Sequence, residues 1–281
     1  MKTIRIIPRL DIKGPNLVKG IHFEGLRVLG DPSDFAKEYY ESGADELIYV
    51  DIVASLFERN SLSNIISETA KEIFIPLTVG GGLRGINDIK NVLKAGADKV
   101  SLNTAVLKTP ELIRETALSF GSSTIVVSIE AIKQPDGNYL AYTDNGREFT
   151  GVNVLEWAQQ VAQLGAGEII ISSVDKEGTA EGFDIELTKM ISEAVNIPVI
   201  AHGGAGSIKN IVDVIKIGKA DAVSIASILH YGVNHKLNKD GNSFEGNTEF
   251  LKKKIGFSKI NPINLMELKE ELLDNNISCR I

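Results

Sequence analysis

Residues 75–82 read IPLTVGGG and residues 197–204 read IPVIAHGG. Each is an apolar run that ends in consecutive glycines. That is the pattern of a strand buried on both faces running into a turn whose backbone a ligand can approach. Working outward, GADE at 43–46 returns as GAGE at 165–168, and ADKVSLNT at 97–104 returns as ADAVSIAS at 220–227. LDIK at 10–13 is echoed by IEAIK at 129–133. The order is the same in both halves. Short apolar, β-rich runs lie at 4–10, 46–51, 75–79, 99–102, 124–129, 168–173, 197–201 and 222–225. Helix-period segments separate them at 32–42, 62–72, 86–95, 110–120, 152–164, 185–195 and 208–217. Strand–helix alternation calls for a parallel sheet. Two repeated halves of four strands each predict an α/β fold, a (β/α)8 TIM barrel built from two half-barrels. A doubly wound open sheet needs no such repeat.

Punctuation supports these boundaries. Asp31–Pro32 and Thr109–Pro110 place proline where helices begin, and Gly43, Gly96, Gly165 and Gly218 stand where helices should stop. Two segments exceed the plan. Residues 132–150 read as a β-hairpin after the fifth strand, and 230–262 as an inserted polar loop with one short helix after the eighth. Residues 263–281 hold a closing helix and tail, so 1–281 is expected to be one barrel with both extras on its active-site face.

Composition limits the function classes. Among 281 residues, 43% are apolar and 24% charged, and the net charge of −7 argues against a nucleic-acid binder. The one cysteine, Cys279, excludes an internal disulfide and a cysteine-based zinc site. No apolar run approaches a membrane span, and Arg5 interrupts the first apolar stretch, so a cytoplasmic protein without a leader is expected. No metal cluster and no cofactor fingerprint emerge, since 80–82 is too short for a dinucleotide loop.

The C-terminal ends of the predicted strands carry polar groups and glycines. Asp11 and Glu130 occupy equivalent places on the first and fifth strands, which are diametrically opposite in an eight-stranded barrel. One pocket between them can hold an acid on one wall and a base on the other; the plainer alternative is that they pair with Lys13, Lys19 or Arg9 and hold loops. Gly81 and Gly82 with Asn103 and Thr104 form one candidate phosphate site. Gly203 and Gly204 with Ala226, Ser227 and Gly178 form the other. Asp51 and Ser172 stand at further strand ends. Two repeat-related sites imply a small-molecule substrate with a phosphate at each end. At the opposite face Arg5, Glu46, Lys99 and Glu168 start four strands, and on physical grounds alone they form a structural ion-pair layer.

RIIPRLD at 5–11, VKG at 18–20, DELIYVD at 45–51, TVGGG at 78–82, GADKVSLNT at 96–104, GAGE at 165–168 and GGAG at 203–206 together resemble the cyclase subunit of imidazole glycerol phosphate synthase, the HisF family. The resemblance runs over about residues 4–231 and returns in the last helix. It implies a lyase of histidine biosynthesis. Ammonia from a glutaminase subunit docked on the N-terminal face would pass through the barrel to a bis-phosphorylated ribulosyl-formimino substrate. The products are imidazole glycerol phosphate and an aminoimidazole carboxamide ribotide. The resemblance further implies that Asp11 is an acid/base group, with Glu130 as the second. It makes Lys19 a catalytic loop residue and turns Arg5, Glu46, Lys99 and Glu168 into an ammonia gate, with Asp98 a glutaminase contact. Glu177 joins the substrate-binding set.

Departures from the family pattern cluster on the substrate side. The family has Asp at Glu130 and at Glu177, Cys at Arg9 and usually Ser at His202, and nothing as long as 230–262. Arg9 is expected within salt-bridge reach of Glu130, with Asp11 as its other possible partner. The changed substrate side beside an intact gate keeps a second reading open: a paralogue that uses the same ammonia to amidate a sugar or nucleotide-sugar. A silent barrel that only activates a glutaminase is the third, and Asp11 and Lys19 argue against it.

Overall fold

The computed structural model describes residues 2–54, 62–237 and 260–281. The strands are β1 (Arg5–Lys13), β2 (Asn16–Ile21), β3 (Glu24–Gly30), β4 (Leu47–Asp51), β5 (Leu77–Gly80), β6 (Lys99–Leu102), β7 (Ile125–Lys133), β8 (Tyr139–Thr143), β9 (Glu148–Asn153), β10 (Glu168–Ser173), β11 (Val199–His202) and β12 (Ala222–Ile225). Eight of them, in the order β1, β4, β5, β6, β7, β10, β11, β12, pair in parallel, and β12 returns to β1. The sheet therefore closes, and the (β/α)8 barrel expected from the repeat is the observed fold.

The helices are α1 (Pro32–Glu41), α2 (Ser63–Glu72), α3 (Ile86–Ala95), α4 (Thr104–Lys108), α5 (Glu111–Phe120), α6 (Val154–Leu164), α7 (Ile185–Ala194), α8 (Ile208–Lys216), α9 (Ser227–Leu237) and α10 (Leu265–Asp274). Side-chain caps start several of them. Asp31 accepts from Ser33 N, Asp184 from Leu187 N, and Asn264 from Glu267 N. Gly96 and Gly165, both at positive φ, end α3 and α6.

The sequence repeat is a repeat of contacts. Asp45 Oδ2 accepts from Ile6 N at 2.7 Å, Asp98 Oδ2 from Leu77 N at 2.9 Å, and Asp221 Oδ2 from Val199 N at 2.8 Å. Each aspartate precedes a barrel strand and caps an N–H of the strand before it. The fourth equivalent place is Gly167, where a Cβ would run into the Ser122 carbonyl. The last helix is anchored by Lys269, whose buried Nζ reaches Gly43 O at 2.6 Å, Asp45 Oδ1 at 3.0 Å and Arg280 O at 2.6 Å.

Two local features differ from the sequence reading, and one agrees with it. β1 continues to Lys13 and leads into the antiparallel pair β2–β3, where no strands are expected. The turn of that pair places His22 and Phe23 at φ 49° and 59°, a conformation usually signalled by Asn-Gly, so the local signal is missing. The expected hairpin after the fifth strand is present, with β8 on β7 and β9 on β8. Residues 230–237 of the expected polar loop belong to α9, while 238–259 lie outside the described residues. Among the described residues no helix is long and apolar enough to cross a membrane.

Candidate active site

Strand alternation sends Arg5, Ile7, Arg9 and Asp11 of β1 into the barrel. Ile7, Ile48, Val126, Ile170, Ile200 and Ala222 meet as an apolar layer across its middle. Below that layer lies the ring of four ions. Arg5 Nη1 is 2.6 Å from Glu46 and 3.1 Å from Glu168, and Lys99 Nζ is 3.0 Å from Glu46 and 2.9 Å from Glu168. Signs alternate around the ring, so each carboxylate is shared by two cations. The side chains are 8–24% exposed, so the ring is far drier than a solvent-exposed mouth.

Above the layer the polar residues converge. Asp11, 2% exposed, receives Arg9 Nε at 2.8 Å and Lys19 Nζ at 3.4 Å. Lys19 Nζ also pairs with Glu177 Oε1, whose Oε2 accepts from Phe23 N at 3.3 Å. The result is one buried chain of alternating charge, Arg9–Asp11–Lys19–Glu177. Burial alone would raise the Asp11 pKa, but the charges of Arg9 and Lys19 outweigh it and hold the carboxyl at about 2. The same logic keeps Lys19 protonated: burial lowers its pKa, and Glu177 and Asp11 more than restore it. Lys19 sits in β2 rather than on an irregular loop, and the Lys19–Glu177 pair clasps the β2–β3 hairpin to the segment after β10.

Glu130 is in the opposite state. Desolvation pushes its carboxyl up to about 7, against the Gly146 N–H bonded at 3.0 Å, the Arg9 charge and the Asn103 side chain. The expected ion pair with Arg9 does not form. Arg9 and Asp11 are two apart on one strand face and meet directly, whereas Glu130 stands across the barrel and takes the backbone of the hairpin turn instead. The two opposed carboxylates thus differ by about five in pKa, one ionised throughout the neutral range and one poised to exchange a proton.

Two spaces open at this end. The larger, about 360 Å³, is lined by Arg9, Asp51, Gly81, Gly82, Asn103, Thr104 and Glu130. Gly81 has φ 96°, and a Cβ there would strike the Asp51 backbone, so glycine is required on both counts. The smaller, about 20 Å³, is lined by Lys19, Glu177, Gly178, His202, Gly203, Gly204, Ala226 and Ser227. It has room for little more than one water, because the hairpin and Glu177 fill it. Ser227 opens α9, whose N-terminus adds a positive dipole end there. The two glycine groups predicted as phosphate sites therefore open onto separate spaces, and Asp11 stands between Arg9 of one and Lys19 of the other. Ser172 is buried and lines neither, with its Oγ unpartnered. His202 Nδ1 donates to Ser224 O at 3.0 Å, and burial beside Arg9 and Lys19 keeps the ring neutral, so Nε2 is a bare acceptor.

Sequence reasoning missed Arg84, Lys108, Asp144 and Asn145, which also line the larger space. Arg84 follows the GGG run by two residues, and that proximity was an available signal. Asp144 and Asn145 come from the β8–β9 turn, at φ 53° and 61°, and only the hairpin's return over the barrel brings them in.

The histidine biosynthesis protein family model matches residues 5–235. A Legionella pneumophila protein named imidazole glycerol phosphate synthase subunit HisF is 54% identical over 209 residues, covering 74% of this chain and 99% of that relative. A protein of the same name from Alkaliphilus metalliredigens (strain QYMF) is 48% identical over 231 residues, covering 82% of this chain and 92% of its own length. A closed barrel with two glycine-lined spaces and opposed carboxylates, matched along nearly the whole length of such relatives, belongs to the HisF family of histidine biosynthesis proteins.

Proposed function

We propose that this chain is an imidazole glycerol phosphate synthase cyclase, an enzyme with lyase chemistry. In this reading a bis-phosphorylated ribulosyl-formimino aminoimidazole carboxamide ribonucleotide spans the barrel end. Its phosphates rest on the Gly81–Gly82 group and on the Gly203–Gly204 group, with Asp51, Asn103, Thr104, Gly178, Ala226 and Ser227 around them. Ammonia attacks, the chain is cleaved and the imidazole ring closes. The observation that carries this reading is a pair of buried carboxylates on opposite walls between the two glycine groups, Asp11 held low by Arg9 and Lys19 and Glu130 raised by burial. Glu130 is suited to give and take the proton that cleavage and closure move, and Asp11 to stabilise developing positive charge or accept a proton. Lys19, protonated beside Asp11, supplies a positive group over the substrate.

Ammonia supply follows from the other end. A glutaminase subunit on the N-terminal face would cover the ring of Arg5, Glu46, Lys99 and Glu168, and the apolar layer above it admits a neutral molecule more readily than an ion. Asp98 would meet that partner with the carboxylate oxygen not used on Leu77 N.

One observation favours a second reading, in which the same ammonia amidates a sugar or nucleotide-sugar. Arg9, Glu177 and His202, three of the departures from the family pattern, all gather on Asp11 and Lys19. The deciding experiment is turnover of the ribulosyl substrate with ammonium salt and no partner. Formation of imidazole glycerol phosphate supports the cyclase. A folded protein that binds the substrate or a sugar nucleotide but makes none supports the second reading.

A further inference from the structure

Arg9 is a buried, permanently charged group whose fork is only partly used. Its side chain is 5% exposed, its Nε is committed to Asp11 at 2.8 Å, and its guanidinium carbon lies 5.4 Å from the centre of the Phe23 ring. Among the described residues no other hydrogen bond is formed by this side chain, and it lines the 360 Å³ space. The Nη edge is therefore a set of fixed donors with no acceptor among the described residues, in a fork geometry that matches a planar oxygen-bearing group. The same space holds two buried acceptors without partners, Asn103 Oδ1 and Asp144 Oδ1. Each of these two buried acceptors carries a desolvation cost that a ligand can remove. Three carboxyl groups, from Asp51, Glu130 and Asp144, share the wall. They disfavour a phosphate dianion beside Arg9 but suit a group that has an oxygen on one side and N–H donors on the other.

We propose that Arg9 is a substrate-contacting specificity residue that holds a planar acyl oxygen between the two phosphate groups, and that the group it takes is a carboxamide. Pinned on Asp11 and stacked on Phe23, the guanidinium is oriented before substrate arrives. The carboxamide oxygen accepts from its Nη atoms, and the amide N–H groups face the bare oxygens of Asn103 and Asp144. The carboxamide assignment rests on the cyclase reading, whose substrate carries that group on its imidazole.

The test compares binding of aminoimidazole carboxamide ribonucleotide with that of the ribonucleotide lacking the carboxamide, by calorimetry, to wild type, Arg9→Lys and Arg9→Met. Folding is checked by thermal unfolding. The wild type is expected to prefer the carboxamide nucleotide by about 10- to 100-fold, the range for a charge-assisted hydrogen bond. Arg9→Met should bind both nucleotides equally, and Arg9→Lys should keep only a small preference. A folded variant that retains the full preference overturns the proposal. If the wild type binds neither nucleotide, the cyclase reading of this space fails, and Arg9 is judged on its guanidinium ¹⁵N resonances, identified by their loss in Arg9→Lys. A saturable shift on adding acetamide supports the carboxamide, and one on adding acetate alone overturns it. Resonances that move with neither overturn the assignment of Arg9 as an acyl-oxygen site, and the same measurement decides the matter if Arg9→Met does not fold.

Discussion

Replacing Glu130 with glutamine removes a buried carboxyl raised into the neutral range while keeping its size. The burial that displaces this carboxyl from 4.5 to about 7 makes its ionised form costlier in the folded chain by about 3 kcal/mol. The sign follows from linkage. Below about pH 4 the group is protonated in the folded and unfolded chains, and nothing is lost. Between the unfolded and folded values the unfolded chain releases its proton first, so stability falls as pH rises, and it levels off above about 7. The wild type should therefore lose up to about 3 kcal/mol of urea-unfolding stability from this site between pH 4.5 and 8. Glu130→Gln should lose that component of the slope and be the more stable protein at pH 8. Ammonium-dependent turnover should fall by about 10²-fold or more in the same variant. With unprotonated ammonia held constant, the inflection near pH 7 should vanish with it. An unchanged stability slope and an unchanged inflection in folded Glu130→Gln would refute the assignment of that titration to Glu130.

Asp11→Asn is expected to cost about 10²-fold or more in turnover with a modest effect on folding, measured by ammonium-dependent kinetics beside a urea melt. Because the folded Asp11 value is depressed, its ion pairs hold above about pH 4 and are lost only as pH falls towards 2, so no rate inflection near neutrality should trace to it. Lys99→Ala opens one side of the ionic ring and should disturb glutamine-dependent turnover, in the presence of a glutaminase, more than ammonium-dependent turnover; equal losses would count against a gate. Lys269→Met removes a buried cation from Asp45 and two carbonyls and should destabilise the barrel by about 3 kcal/mol, read from the urea midpoint.

The barrel was legible in the chain because its causes are local and repeated. Strands buried on both faces must be largely apolar, as residues 75–79 and 197–201 are, and the repeated Asp45, Asp98 and Asp221 perform the same backbone capping in every place where they recur. Asp11 and Glu130 could be set opposite each other by counting strands alone. The protonation states could not be read that way, since they depend on what approaches from far along the chain. Glu130 meets Gly146 through a hairpin, and Lys19 meets Glu177 across 158 positions. Arg9 shows the limit most directly. Its charge and inward direction follow from sequence and strand period, but its choice of Asp11 over Glu130 was made by distances within the closed barrel. The β2–β3 hairpin stayed hidden for a related reason: His22 and Phe23 hold a left-handed turn with no glycine to announce it, and the Glu177 contacts that clasp it come from the other half of the molecule.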